Sequence, residues 1–223
     1  MAGRVLVVNF KAYRTAFDST AEAIAREASR LASSLGVRII IAPPAPVAPR
    51  LTRIHEDVYL QHLDPIGFGA HTGSLPAEAA GLLGVRGSLV NHSERKMVLR
   101  DVARVVEALK RQGLESIVCA DTPAEASAAA YLRPTMIAVE PPELIGTGIP
   151  VSKARPEVIT ESLEAVRRVA DVPLLAGAGI SSPEDAVRAV ELGANGVLVA
   201  SVVMKSPDPP AALRGLAEAL ASV

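Results

Sequence analysis

The chain has 223 residues, 23 basic against 24 acidic side chains and a net charge of −1, so it offers no basic field for nucleic acid and no polybasic cluster for a membrane surface. Its one cysteine, Cys119, excludes an internal disulfide and any zinc site built from several thiolates. No apolar run reaches the ~18 residues of a membrane span, and residues 5–8 are too short for a signal segment, so the expectation is a cytoplasmic protein acting on a small molecule.

In chain order, the first short β-branched run covers residues 5–9, and others recur at 37–42, 58–61, 88–91, 116–120, 136–140, 173–177 and 196–200. Most are continuously apolar, the pattern of parallel strands buried on both faces. Between them the spacing predicts helices over 20–35, 76–83, 101–112, 123–132, 156–170, 183–192 and 209–222. Gly36, Gly84, Gly113 and Gly193 stand where a left-handed residue ends a helix, and Pro156 and Pro183 where a first helical residue is wanted. Val102, Val105, Val106 and Leu109 share one face of their helix, which should cover a sheet. Cys119, inside the fifth run, reads as a core residue. Asparagine and glutamine are scarce and prolines number 17, a direction associated with heat-stable proteins, although the charged fraction is not raised.

Strand and helix alternate about eight times with no linker or low-complexity break. This predicts α/β architecture, a single (β/α)8 TIM barrel of compact form, as one domain over 1–223. A doubly wound open sheet is the alternative, and no G-x-G-x-x-G follows the first strand to support it. In a barrel, chemistry belongs at the C-terminal strand ends. Those positions hold Asn9 and Lys11, then Asn91, His92, Ser93 and Glu94, then Glu140, and finally the turns at 177–179 and 200–201.

Each of these residues has a plain reading as a surface, structural or turn position, Glu140 included. Together they make a constellation. Pro141 and Pro142 stop any helix from starting after Glu140, and the Gly146-Thr147-Gly148 tip suits a lid with free backbone N–H groups. The turn at 177–179 precedes a capping-box pattern at 182–185, so amides and a positive helix end point at it. With Ala200 and Ser201 it forms the phosphate site that barrels often build after the last two strands. A carboxylate base, an imidazole donor and a cation then suit proton abstraction beside a carbonyl.

The motifs N-F-K at 9–11, N-H-S-E-R at 91–95, V-E-P-P-E-L-I-G-T-G at 139–148 and G-A-G-I at 177–180 resemble the triosephosphate isomerase family in its shorter archaeal form. The resemblance runs from the first strand to the last. It implies interconversion of dihydroxyacetone phosphate and D-glyceraldehyde 3-phosphate through an enediolate, in glycolysis and gluconeogenesis, with no metal or organic cofactor. Glu140 would be the proton acceptor and His92 a neutral electrophile, roles known for the family and carried over by resemblance. Lys11 would be the catalytic cation and, with Asn9, would bind substrate. Ile145, Gly146, Gly179, Ala200 and Ser201 would meet the phosphate, with Glu94 in support. Abbreviated helical segments after the third and fifth strands imply a homotetramer of loop-exchanging dimers, in which Thr72 of the G-A-H-T-G segment at 69–73 reaches towards a neighbour's site. Two readings compete: another phosphate-binding barrel enzyme, such as a sugar-phosphate epimerase or a synthase of the tryptophan pathway, and a non-catalytic phosphate-ligand sensor. The lid motif argues against the first.

Overall fold

A computed structural model describes residues 3–141 and 151–223. All eight expected strands are present: β1 Val5–Asn9, β2 Arg38–Ala42, β3 Tyr59–Leu60, β4 Gly87–Val90, β5 Glu115–Ala120, β6 Met136–Val139, β7 Leu174–Ala176 and β8 Gly196–Val199. Every pairing is parallel, and the order runs β2-β1-β8-β7-β6-β5-β4-β3. One bridge, Ile41 to Val58, joins the two ends of that order. The result is a nearly closed (β/α)8 barrel, not the open doubly wound sheet.

Alternation explains why the runs are apolar throughout. Val7, Ile40, Tyr59, Leu89, Ile117 and Cys119 belong to a packed cluster filling the barrel. Their strand neighbours, among them Leu6, Val8, Ile39, Ile41 and Val118, join the larger core shared with the helices. Neither face of a strand meets water, so neither face needs polar residues. At the N-terminal end of the barrel the plug is ionic. The Arg38 guanidinium donates to Asp57 (2.7 Å) and to both oxygens of Glu115 (2.9 Å each), and the Tyr59 hydroxyl donates to Glu115 (2.7 Å). Burial opposes the charge on Arg38, but the hydrogen bonds to Asp57 and Glu115 outweigh it and raise its pKa above the usual arginine range.

Outside the strands lie α1 Ser19–Leu35, α2 Ala48–Leu51, α3 Ala79–Leu82, α4 Leu99–Arg111, α5 Pro123–Tyr131, α6 Val151–Ala154, α7 Pro156–Arg167, α8 Pro183–Glu191, α9 Ser201–Met204 and α10 Pro209–Ala221. Gly36, Gly84, Gly113 and Gly193 are all left-handed, as their helix-ending positions require. The helix expected over 76–83 begins only at Ala79, because Pro76 is held in a parallel bridge to Asp64 and cannot also start a helix. No helix was expected at α2, α6 or α9, each four residues long. Among the described residues no helix is long and apolar enough to cross a membrane.

Candidate active site

The site is assembled where the strands end. Asn9 closes β1 and is buried, and its Oδ1 accepts the Lys11 N–H at 2.9 Å. That bond turns the chain back on itself, leaving Lys11 left-handed at φ 46°, a conformation costing about 1–3 kcal/mol that must be held by its surroundings. Gln61, just past β3, supplies the hold: its Nε2 donates to the Lys11 carbonyl at 3.0 Å and to the Ala42 carbonyl at 2.8 Å. The Lys11 ammonium then meets Glu94 Oε1 at 2.8 Å.

His92 caps a short 3-10 turn, Ser93–Arg95, and its Nδ1 accepts the Glu94 N–H at 3.2 Å. An accepting Nδ1 makes the ring the neutral tautomer with its proton on Nε2. That Nε2 lies 3.5 Å from Glu140 Oε2, and both side chains are about 5% exposed. Among the described residues neither atom has a hydrogen-bond partner. An N–H donor and a carboxylate thus face the same space, buried and unsatisfied, which is costly unless a third molecule serves both.

Glu140 is therefore not the solvated connector residue that its local sequence alone suggests. Its N–H donates to the Ala120 carbonyl at 2.9 Å, and its side chain lies over Gly177, where a Cβ would stand 2.3 Å from Cγ. Cys119 is buried beside it. Burial pushes that thiol's pKa well up, and the Glu140 carboxylate adds to the effect, so Cys119 is an inert core residue as its sequence position suggests.

The turn after β7 carries two consecutive left-handed residues, Ala178 (φ 66°) and Gly179 (φ 72°). It leads into α8, whose N-cap is in place: Ser182 Oγ accepts the Asp185 N–H at 3.3 Å, while the Asp185 carboxylate reaches back one residue further than in a capping box and accepts the Ser181 N–H at 3.1 Å. Across from it, Ala200 opens α9, whose last carbonyl, that of Met204, takes a hydrogen bond from the Thr15 hydroxyl at 2.9 Å. Lys11, Glu140, Gly179, Ala200 and Ser201 line one cavity, and Asn9, Lys11, Gln61, His92 and Glu94 line the next.

Lys11 is common to both, so eight of the residues singled out from sequence come together. The remaining three do not join them. Ile145 and Gly146, with the glycine-flanked tip at 146–148 of the lid expected over Pro141 to Ala154, lie outside the described residues, and Thr72 is exposed and lines neither cavity. Past residues 142–150 the chain resumes as α6, docked by a Val151 N–H to the Ala178 carbonyl at 3.3 Å. Among the described residues no group of His, Cys, Asp and Glu is placed to hold a metal ion.

A base, a donor, a cation and an amide-rich turn on one face are what proton transfer on a small phosphorylated carbonyl compound requires. A family model described as triosephosphate isomerase matches residues 4–218 of the chain. The chain belongs to the triosephosphate isomerase family. Its similarity to curated members is spread over nearly the whole length. It is 46% identical over 214 residues to the triosephosphate isomerase of Methanothermus fervidus (95% of this chain, 96% of the relative). With that of Archaeoglobus fulgidus the identity is 47% over 214 residues (95% and 96%), and with that of Caldivirga maquilingensis 42% over 218 residues (97% of each).

Two residues of this family member escaped the sequence reading. Gln61 directly follows β3, as Lys11 follows β1 at one residue's remove, and could have been found by the same strand-end rule. Gly177 was grouped with the phosphate turn, but what it supplies is empty space for Glu140. Nothing in the sequence marks that.

Proposed function

We propose that the protein interconverts dihydroxyacetone phosphate and D-glyceraldehyde 3-phosphate. Glu140 removes a proton from the carbon beside the carbonyl and returns it to the neighbouring carbon. His92 hydrogen-bonds the carbonyl oxygen through its Nε2–H as negative charge develops and passes the neighbouring hydroxyl's proton to that oxygen, and the Lys11 ammonium, which meets Glu94 Oε1 at 2.8 Å, stabilises the enediolate electrostatically. The imidazole works as a neutral donor because a proton on Nδ1 would break the bond that it accepts from the Glu94 N–H. Glu94 steadies both partners, bonding Lys11 through its side chain and His92 through its backbone. Backbone N–H groups at Gly179, Ala200 and Ser201 take the phosphate, and Ile145 and Gly146 complete that contact from the lid, a role resting on family resemblance. The reaction needs no metal or organic cofactor.

The observation that carries this reading is the facing pair of His92 Nε2 and Glu140 Oε2, 3.5 Å apart and buried. Adding dihydroxyacetone phosphate to the purified protein and following glyceraldehyde 3-phosphate tests it directly. Turnover is expected. Phosphate-ligand binding without turnover would make the protein a sensor, and turnover of a different sugar phosphate would make it another barrel enzyme.

We further propose that residues 1–223 act as one domain in the cytoplasm, within glycolysis and gluconeogenesis, and as a homotetramer of dimers in which Thr72 reaches a neighbour's site. Exposed Phe68, Leu82, Leu99 and Tyr131 favour burial between copies. Light scattering tests the assembly: an active monomer would remove both the tetramer and the role of Thr72.

A further inference from the structure

We infer that Asn91 is a positioning residue, which sets the separation between the His92 imidazole and the Glu140 carboxylate by tying the loop that carries His92 to β5. The inference rests on the reading of those two groups as donor and base. Strand β4 stays in register with β5 as far as Val90, opposite Val118. There the chain leaves the sheet, because Asn91 is left-handed at φ 62°. The departing backbone can no longer bond β5, and the side-chain amide does so instead: Asn91 Nδ2 donates to the Cys119 carbonyl at 2.9 Å.

Its Oδ1 accepts the Met97 N–H, also at 2.9 Å, closing the segment 91–97 on itself. One side chain therefore fixes both ends of the His92 loop and fastens it to the next strand. The path from Cys119 to Glu140 is short and rigid. Cys119 pairs with Ala138 and Ala120 with Val139 in the β5–β6 ladder, and the Glu140 N–H bonds the Ala120 carbonyl at 2.9 Å.

Asparagine suits this position on two counts. It is among the residues that tolerate a left-handed backbone, and it offers both a donor and an acceptor. Glycine would meet only the first demand, and aspartate would present an oxygen to the Cys119 carbonyl. Asn91 lines neither substrate-facing cavity. It borders instead a separate cavity behind β4 and β5 with Met97, Val102 and Val118. Any effect on the reaction must therefore pass through its neighbours.

The test uses Asn91→Gly, which keeps the backbone and deletes both bonds, and Asn91→Asp, which keeps the acceptor and repels at the donor position. Glu140→Gln is the control for the underlying reading. Steady-state kinetics on dihydroxyacetone phosphate, thermal midpoints and 15N NMR of the His92 ring are measured for each. For both Asn91 variants, kcat should fall about 10- to 100-fold with KM within about twofold, as for a misplaced reacting group, and the His92 nitrogen resonances should shift. A lower midpoint with unchanged kcat would reduce Asn91 to a structural strut and overturn the inference. A raised KM at constant kcat would overturn it too, as would a fall in kcat with the ring resonances unmoved. If Glu140→Gln itself keeps full turnover, the reading of the site fails. If only Glu140→Gln loses turnover, that reading stands and the role of Asn91 fails alone.

Discussion

Glu140 owes its position to neighbours remote in sequence: the Ala120 carbonyl that takes its N–H, the Cys119 thiol beside its carboxylate, and the bare surface of Gly177 beneath its side chain. Replacing the carboxylate by an amide keeps that fit and removes the proposed base. Glu140→Gln should therefore lower kcat by at least the ~10²–10⁴-fold typical of general acid–base groups, while inhibition by inorganic phosphate stays near that of the parent. Near-normal turnover would move the base elsewhere. Gly177→Ala makes the complementary change, leaving the base intact but driving a methyl to 2.3 Å from its Cγ. The carboxylate must move, and kcat should drop by about 100-fold with little change in KM; kinetics indistinguishable from the parent would mean that the displaced side chain finds a second working pose. Glu140, His92, Lys11 and Asn9 are legible in the sequence because a strand end announces itself. The positions of Gly177, Gln61 and Asn91 are legible as well, but their tasks are contacts across strands, which a linear reading does not contain.

Elements show the same division. Helices α1, α4, α5, α7, α8 and α10 could be drawn from periodicity with glycine and proline at their ends, whereas α2, α6 and α9 are single turns, too short to carry a period. How helices meet is not legible either, as α1 and α10 illustrate. Glu27 on α1 accepts hydrogen bonds from Arg30 (2.7 Å) and from Arg214 on α10 (2.7 Å). The bonds from Arg30 outweigh the opposing effect of burial and, with help from Arg214, hold the Glu27 carboxyl down at about 2, against an ordinary 4.5. A depressed carboxyl stabilises the fold above its unfolded-state pKa and loses that contribution as pH falls through its folded value. Glu27→Gln should thus cost about 1 kcal/mol or less at neutral pH. The difference from the parent should shrink between pH 4.5 and 2. Thermal midpoints measured across that range check the sign, and a gap that widens on acidification would exclude this role for Glu27.

At the scale of the molecule, the barrel largely divides strain from stability. Of the four left-handed residues other than glycine among those described, Lys11, Asn91 and Ala178 lie at the C-terminal strand ends and Arg133 lies between α5 and β6, while the ion network of Arg38, Asp57 and Glu115 with Tyr59 closes the end opposite the site. Arg38→Met leaves two carboxylates near the barrel interior without their cation, at a cost of about 2–3 kcal/mol for partly buried groups. The midpoint should fall by roughly 5–10 °C in a chain of this size, with kcat per folded chain unchanged. A loss of kcat in the folded variant would show that the two ends of the barrel are coupled.

The junction of β2 and β3 gives this division an exception. Among the described residues a single pair, Ile41 with Val58, bridges it, where the other neighbouring strands share at least two register pairs. Local opening of the wall is therefore easiest there, and Gln61, whose amide spans that gap to the Ala42 carbonyl, is the same group that secures Lys11. A breath in the wall frees the strained lysine. Heat inactivation should accordingly precede loss of the helical circular dichroism signal, with the Ile41 amide exchanging its hydrogen well before that of Val7. The working lifetime of this protein at high temperature is then set by one seam and not by the barrel as a whole.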